Sequence, residues 1–219
     1  MRAVVEALTA GCATDTEKAL ALFGFVRQRI RFGFRVGFWD NRASDVLASG
    51  VGFCNTKSTL FIALLRGAGI PARQVFVDIH ASVLEGLLDP GTPYVDHSYV
   101  EVFLSDRWIA TDAYIVDDDL FGPAQRRLRR EGGLMGYGVH ATGTAQWDGE
   151  APAFAQFNMN DPRPISTRCW GPFEDVADFY RRAESPWNRL NPLLRAGMGF
   201  FAVGANRKAQ RIRESAGSA

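Results

Sequence analysis

The sequence predicts an α+β fold: one buried helix beginning near Cys54, packed on an antiparallel β-sheet, with further helices outside. Three observations predict it. Leu60 with Leu64 and Ala68, and Phe61 with Leu65, recur at helical spacing, and Ile62 adds an apolar residue off that stripe, so the helix is apolar nearly all round. His97, Tyr99, Glu101 and Phe103 alternate with Val100, Val102 and Leu104, the period of a strand with one apolar face. After Ser105-Asp106, the run Arg107 to Tyr114 reads as the returning arm of a β-hairpin.

At 219 residues, 47% apolar and 22% charged, the chain has ordinary globular composition and length for a single domain over residues 1–219. Its core is expected over about 15–115, with 116–219 an extension packed on it. Lys and Arg number 25 against 24 Asp and Glu, so no global field points to nucleic acid, an anionic membrane or an acidic substrate. Cys12, Cys54 and Cys169 are odd in number and far apart, which argues against a disulfide framework and against a short-spaced cysteine zinc site. Glu6 interrupts the N-terminus before a signal-like apolar run develops, and no window nears the ~18 apolar residues of a membrane span. These features predict a cytoplasmic protein.

In chain order, Thr14-Asp15-Thr16-Glu17 caps a helix reaching about Arg31, with Leu20, Phe23, Val26, Arg27 and Ile30 on a mostly apolar face. Phe32 to Trp39 mixes aromatics with glycines, an irregular segment that lies over a core or lines a cleft, core packing being the commoner use. Asn41 to Ser49 reads as a short helix ended by Gly50. Gln74 to Ile79 is a strand candidate followed by His80.

Beyond the hairpin, Asp117-Asp118-Asp119 opens a helix that ends in Arg126, Arg127, Arg129 and Arg130, a solvated end in preference to a phosphate site. Gly132 to Gly143 carries five glycines around His140, which suggests a mobile loop. Residues 144–172 are expected as extended segments and turns, Phe173 to Ala183 as helix, and Asn191 to Arg213 as a last helix weakened by glycines. That last helix is expected to dock on the core, a membrane-surface role being the lesser reading.

The chemistry centres on Cys54. Small polar residues (Asn55, Thr56, Ser58, Thr59) mark the helix start, so Cys54 sits at the first turn, where unpaired N–H groups and the helix dipole favour a thiolate. Gly52 leaves room for close backbone approach, and Lys57 is expected to face solvent. The alternative is a small, inert core cysteine. If Ser105-Asp106 is a two-residue turn, Leu104 pairs with Arg107 and Tyr99 comes opposite Asp112, putting Asp112 on the His97 face as its diagonal neighbour at roughly 7–8 Å between backbones. Nucleophile, base and orienter of the imidazole are the roles that Cys54, His97 and Asp112 then offer for acyl transfer.

These residues resemble the transglutaminase-like superfamily of papain-like fold: Gly52-Phe53-Cys54 heading a helix, Ala63 to Arg73 at its end, His97-Ser98-Tyr99-Val100-Glu101-Val102 on one strand and Trp108-Ile109-Ala110-Thr111-Asp112 on the next. The likeness covers roughly 15–115, with Tyr99 where the family often has tryptophan. It implies Cys54 as nucleophile, His97 as base and Asp112 as orienter, no cofactor and no metal, a peptide or protein substrate, and thioester chemistry in which hydrolysis, as a cysteine protease or amidase, is preferred to amine-accepting crosslinking. It also implies an oxyanion donor in the Cys54 N–H and a second one upstream, for which Trp39 and Gln28 are the candidates. His80, His140, Cys12 and Cys169 are expected to be structural or inert. A scaffold module without turnover is the second reading, and zinc held by Cys54, His97 and Asp112 a remote third.

Overall fold

The computed structural model describes residues 1–35, 37, 40–158, 168–174, 176–181 and 192–215, without the side chains of 192–198 and 200. Two helices come first, α1 (Arg2–Thr9) and α2 (Asp15–Arg29). The predicted cap of α2 is present: Glu17 N–H donates to Thr14 Oγ1 at 3.1 Å, and Thr14 N–H to Glu17 Oε2 at 3.2 Å. A short strand β1 (Arg31–Phe32), helix α3 (Ala43–Ser49) and strand β2 (Val51–Gly52) lead to the central helix α4 (Cys54–Gly67). Gly50 stops α3 in the left-handed region, φ 65°, and β1 pairs in parallel with β2.

The main sheet is built from β3 (Ala72–His80), β4 (Tyr94–Leu104), β5 (Arg107–Thr111) and, much later, β8 (Cys169–Phe173), in the order β5-β4-β3-β8. The β4–β5 turn has the expected two residues, with φ 49° at Ser105 and 60° at Asp106, the positive values that match a hairpin's twist. Leu104 therefore pairs with Arg107 and Val100 with Thr111. Val100, Val102 and Leu104 bury themselves with Leu60 and Leu64 of α4 in the larger core cluster.

The second half begins with α5 (Asp118–Arg130) and a small hairpin, β6 (Met135–Gly136) with β7 (Val139–His140). That hairpin corrects the expectation of a mobile loop. Met135 and Val139 are buried, and Tyr137 N–H and Gly138 N–H donate to the carbonyls of Glu85 and Val83, so the glycines serve close packing. Strand β8 (Cys169–Phe173) pairs antiparallel with β3, so Phe173 lies in a strand where a helix was expected; the helix α6 (Val176–Arg181) follows. Phe76 stacks on Phe179 with ring centroids 3.9 Å apart, which seats α6 against the sheet. The last helix, α7 (Pro192–Glu214), runs on through its glycines. Ala202, Ala205, Ala209 and Ile212 are buried against the core while Phe201 and Val203 stay exposed, so α7 docks as expected. No helix among the described residues is long and apolar enough to cross a membrane.

Candidate active site

Cys54 is the first residue of α4, and the turn before it is held by Phe53 N–H donating to Thr56 Oγ1 at 3.0 Å. Gly52 is needed for side chains and not for a neighbouring backbone, since a Cβ there would stand 2.8 Å from Thr56 Oγ1 and 2.9 Å from Lys57 Cγ. Cys54 is only 8% exposed, and burial pushes its thiol well up, with the Asp96 carboxylate pushing the same way. Backbone N–H groups of Ser98 and Asn55 pull in the other direction and lose. The thiolate expected from the helix dipole is thus overturned: the dipole is a local effect, and removal from water outweighs it. The Sγ–H donates to Asn55 Oδ1 at 3.4 Å.

His97 lies on the β4 face opposite α4, 1% exposed, with its ring edge-on to Phe157 at 5.5 Å between centroids. Its Nε2 is 3.1 Å from Oδ2 of Asp112, which follows the end of β5 and is wholly buried. The even-numbered hairpin turn puts these two residues on one face, as the register argument requires. Asp112 Oδ1 accepts a short hydrogen bond from Ala155 N–H, and Asp112 N–H donates to Ala153 O at 3.0 Å. Residues 153–157 thus brace both Asp112 and His97 from the second half of the chain. No motif marks that segment in the sequence.

Cys54 and His97 line one cavity of about 310 Å³, together with Asp96, Gln156, Tyr180 and a largely apolar wall. Asp96 Oδ2 accepts from Asn55 Nδ2 at 2.8 Å and from Tyr180 OH at 2.6 Å. Burial raises the Asp96 carboxyl, and those two donors pull it part of the way back. Behind them Ser98 Oγ donates to Asn55 Oδ1 at 2.8 Å and accepts from Gln74 Nε2 at 2.8 Å. Asn55 and Asp96 each adjoin a motif residue, the one signal by which they could have been singled out; Tyr180 has none.

Among the other expected residues, Phe32 and Phe34 do line the cleft, whereas Trp39 lies outside the described residues. Gln28 is exposed on α2 and is not among the cavity's lining residues, so it is not placed to donate to an oxyanion. Lys57 is fully buried, contrary to expectation: its Nζ donates to Ile30 O at 2.6 Å, and burial lowers its pKa to about 7. His80 and His140 serve local backbone, each accepting at Nδ1 from an N–H two residues on. Among the described residues no group of three His, Cys, Asp or Glu is spaced to hold a metal ion.

The family model described as the transglutaminase-like superfamily matches residues 2–113, taking in α1 as well as the expected core. No curated protein matches the chain. One similar solved structure is an inferred cysteine protease from Cytophaga hutchinsonii, at 20% identity and a TM-score of 0.41, over 50% of this chain and 35% of that one. Another is an inferred protease from Parabacteroides distasonis, at 17% identity and a TM-score of 0.37, over 50% of this chain and 22% of that one. The chain therefore spans about a third or less of the length of either structure.

Proposed function

The chain belongs to the transglutaminase-like superfamily, and on that premise we propose that it is a thiol-dependent acyl-transfer enzyme acting on a peptide or glutamine-type amide, with Cys54 as nucleophile, His97 as base and acid, and Asp112 as orienter. The observation that carries this reading is the 3.1 Å contact between His97 Nε2 and Asp112 Oδ2, with His97 and Cys54 on the wall of one cavity. A carboxylate on Nε2 leaves Nδ1 as the ring nitrogen that takes the thiol proton. Burial raises the Cys54 thiol, which favours general-base attack: the Sγ–C bond forms as the proton passes to His97, and Asp112 stabilises the imidazolium. The imidazolium then protonates the leaving nitrogen, the C–N bond breaks, and a thioester remains. Water, deprotonated by His97, attacks the thioester, releasing a carboxylic acid and restoring the thiol.

As first residue of α4, Cys54 has no intrahelical acceptor for its own N–H, which is the first oxyanion donor in this reading. Hydrolysis is preferred to amine transfer, since water needs no acceptor subsite and an amine does. The 219 residues act as one domain in this reading, supported by the bonds of Asn206 and Arg213 of α7 to Phe34 and Phe32, and three free cysteines support a reducing, cytoplasmic setting.

One observation favours a second reading, a scaffold module without turnover: the burial that raises the Cys54 thiol. Mass spectrometry of the intact protein after mixing with an activated acyl ester separates the two. Accumulation of an acyl group on residue 54, absent in Cys54→Ala and slowed at least ~100-fold in His97→Ala, is expected of the enzyme. No acylation of the natural chain leaves the scaffold reading standing.

A further inference from the structure

Given Cys54 as the nucleophile, we infer that the enzyme's acyl donor carries a bulky apolar group next to the reacting carbonyl, and that the cavity beside Cys54 is the pocket for that group. The wall is apolar on two sides. Phe32, Phe34 and Phe53 come from the run that leads into α4, and Ile79, Val83 and Leu88 come from the end of β3 and the turn after it. Of the polar groups that also reach the wall, Asp89 is exposed to water and accepts from Gly91 N–H at 2.8 Å, and the buried ones are engaged within the protein. Asp96 accepts from Asn55 and Tyr180, His97 Nε2 faces Asp112, and Gln156 Nε2 donates to Gly138 O at 2.8 Å.

A polar side chain entering here would give up its water to meet partners that are already hydrogen-bonded, whereas an apolar one gains from every carbon it buries. The cavity, about 310 Å³, is roughly twice the ~150 Å³ that suffices for a benzene ring in a dry protein interior. A phenyl, indole or branched aliphatic side chain fits, and so does a straight acyl chain of similar volume. The two-methylene arm of a glutamine donor would leave much of it empty. The cavity therefore selects against a glutamine-type donor in favour of an apolar acyl group, whether from an amino acid or from a fatty acid.

Activated esters test this directly. Attack by Cys54 on a p-nitrophenyl ester forms the thioester and releases p-nitrophenol, and water then releases the carboxylic acid. The probes are the p-nitrophenyl esters of N-acetylphenylalanine, N-acetylglycine, octanoic acid and acetic acid, with Cys54→Ser as background. The expected result is a kcat/KM at least ~10-fold higher for an apolar ester than for its small counterpart, the span that apolar pockets commonly achieve. A phenylalanyl preference assigns the pocket to an amino-acid side chain, and an octanoyl preference to an acyl chain. Cys54-dependent turnover with no apolar preference, or with the small esters faster, overturns the pocket and leaves the acyl-transfer reading intact. No Cys54-dependent turnover of any ester overturns both.

Two variants then locate the pocket. Leu88→Trp fills it and Leu88→Asn makes it polar, and each should lower the apolar-to-small ratio at least ~5-fold, a fraction of the discrimination a single pocket contact supplies. A ratio that stays put in both variants counts against these walls, since a general loss of activity cancels from it.

Discussion

Asn206 of α7 and Phe34 of the cavity wall exchange two hydrogen bonds, Phe34 N–H to Asn206 Oδ1 and Asn206 Nδ2 to Phe34 O, each 2.8 Å long. The amide acts like a neighbouring strand, holding an irregular segment that has no ladder of its own at this point. Gly33 is part of the arrangement, because a Cβ there would come 2.8 Å from Asn206 Oδ1. Five residues before Asn206, Phe201 joins the cavity lining. The C-terminal helix thereby shapes the wall that faces Cys54.

Asn206→Ala is accordingly expected to destabilise the protein by about 1–2 kcal/mol, the worth of two hydrogen bonds with a backbone pair left partly unsatisfied. Urea unfolding measures it. A midpoint equal to that of the natural chain would mean that Phe34 is held by packing alone.

Asp112→Asn should keep the fold and slow acylation of Cys54 by roughly 10³- to 10⁴-fold, because an amide neither stabilises the imidazolium nor selects the right tautomer. Single-turnover release of p-nitrophenol reads this step. A loss under ~10-fold would remove Asp112 from the proposed machinery.

Asp96 pushes the Cys54 thiol up, so removing its charge lets the thiol ionise at lower pH. Asp96→Asn is expected to speed iodoacetamide labelling of residue 54 roughly 3- to 10-fold at fixed pH, half to one pKa unit of ionisation. Peptide mass spectrometry isolates this residue from Cys12 and Cys169. Unchanged or slower labelling would show that burial alone governs the thiol.

Lys57 titrates near pH 7 in the folded protein, lowered by burial, against about 10.4 in an unfolded chain. Between those values the unfolded state binds more protons, so stability rises with pH, by at most about 1.4 kcal/mol per unit from this group. Urea midpoints at pH 6.5, 7.2 and 8, below the range in which the raised Cys54 thiol would act in the opposite sense, should climb for the natural chain, and Lys57→Met should flatten the climb. The same slope in both would assign it to another group.

Local features of the sequence were enough for the elements and for much of the geometry. The Thr14–Glu17 cap, the Gly50 stop and the apolar rows of α4 depend on residues within a few positions of one another. The approach of His97 to Asp112 also follows from local parity, since a two-residue turn brings alternating side chains to one face. What escaped the sequence comes from far along the chain. Ala155 on Asp112, Phe157 on His97, Tyr180 on Asp96 and Asn206 on Phe34 join positions tens of residues apart that no period or turn connects.

The thiolate expected at Cys54 and the solvent-facing position expected for Lys57 failed for a related reason. Cys54 has the helix start that favours a thiolate, and Lys57 has the charge that belongs in water, but each ends up covered by other segments. Sequence determined which groups stand at the head of α4 and along the β4–β5 hairpin. Only the tertiary structure decided how much water reaches them, because desolvation depends on every segment packed around a site and not on its neighbours in the chain.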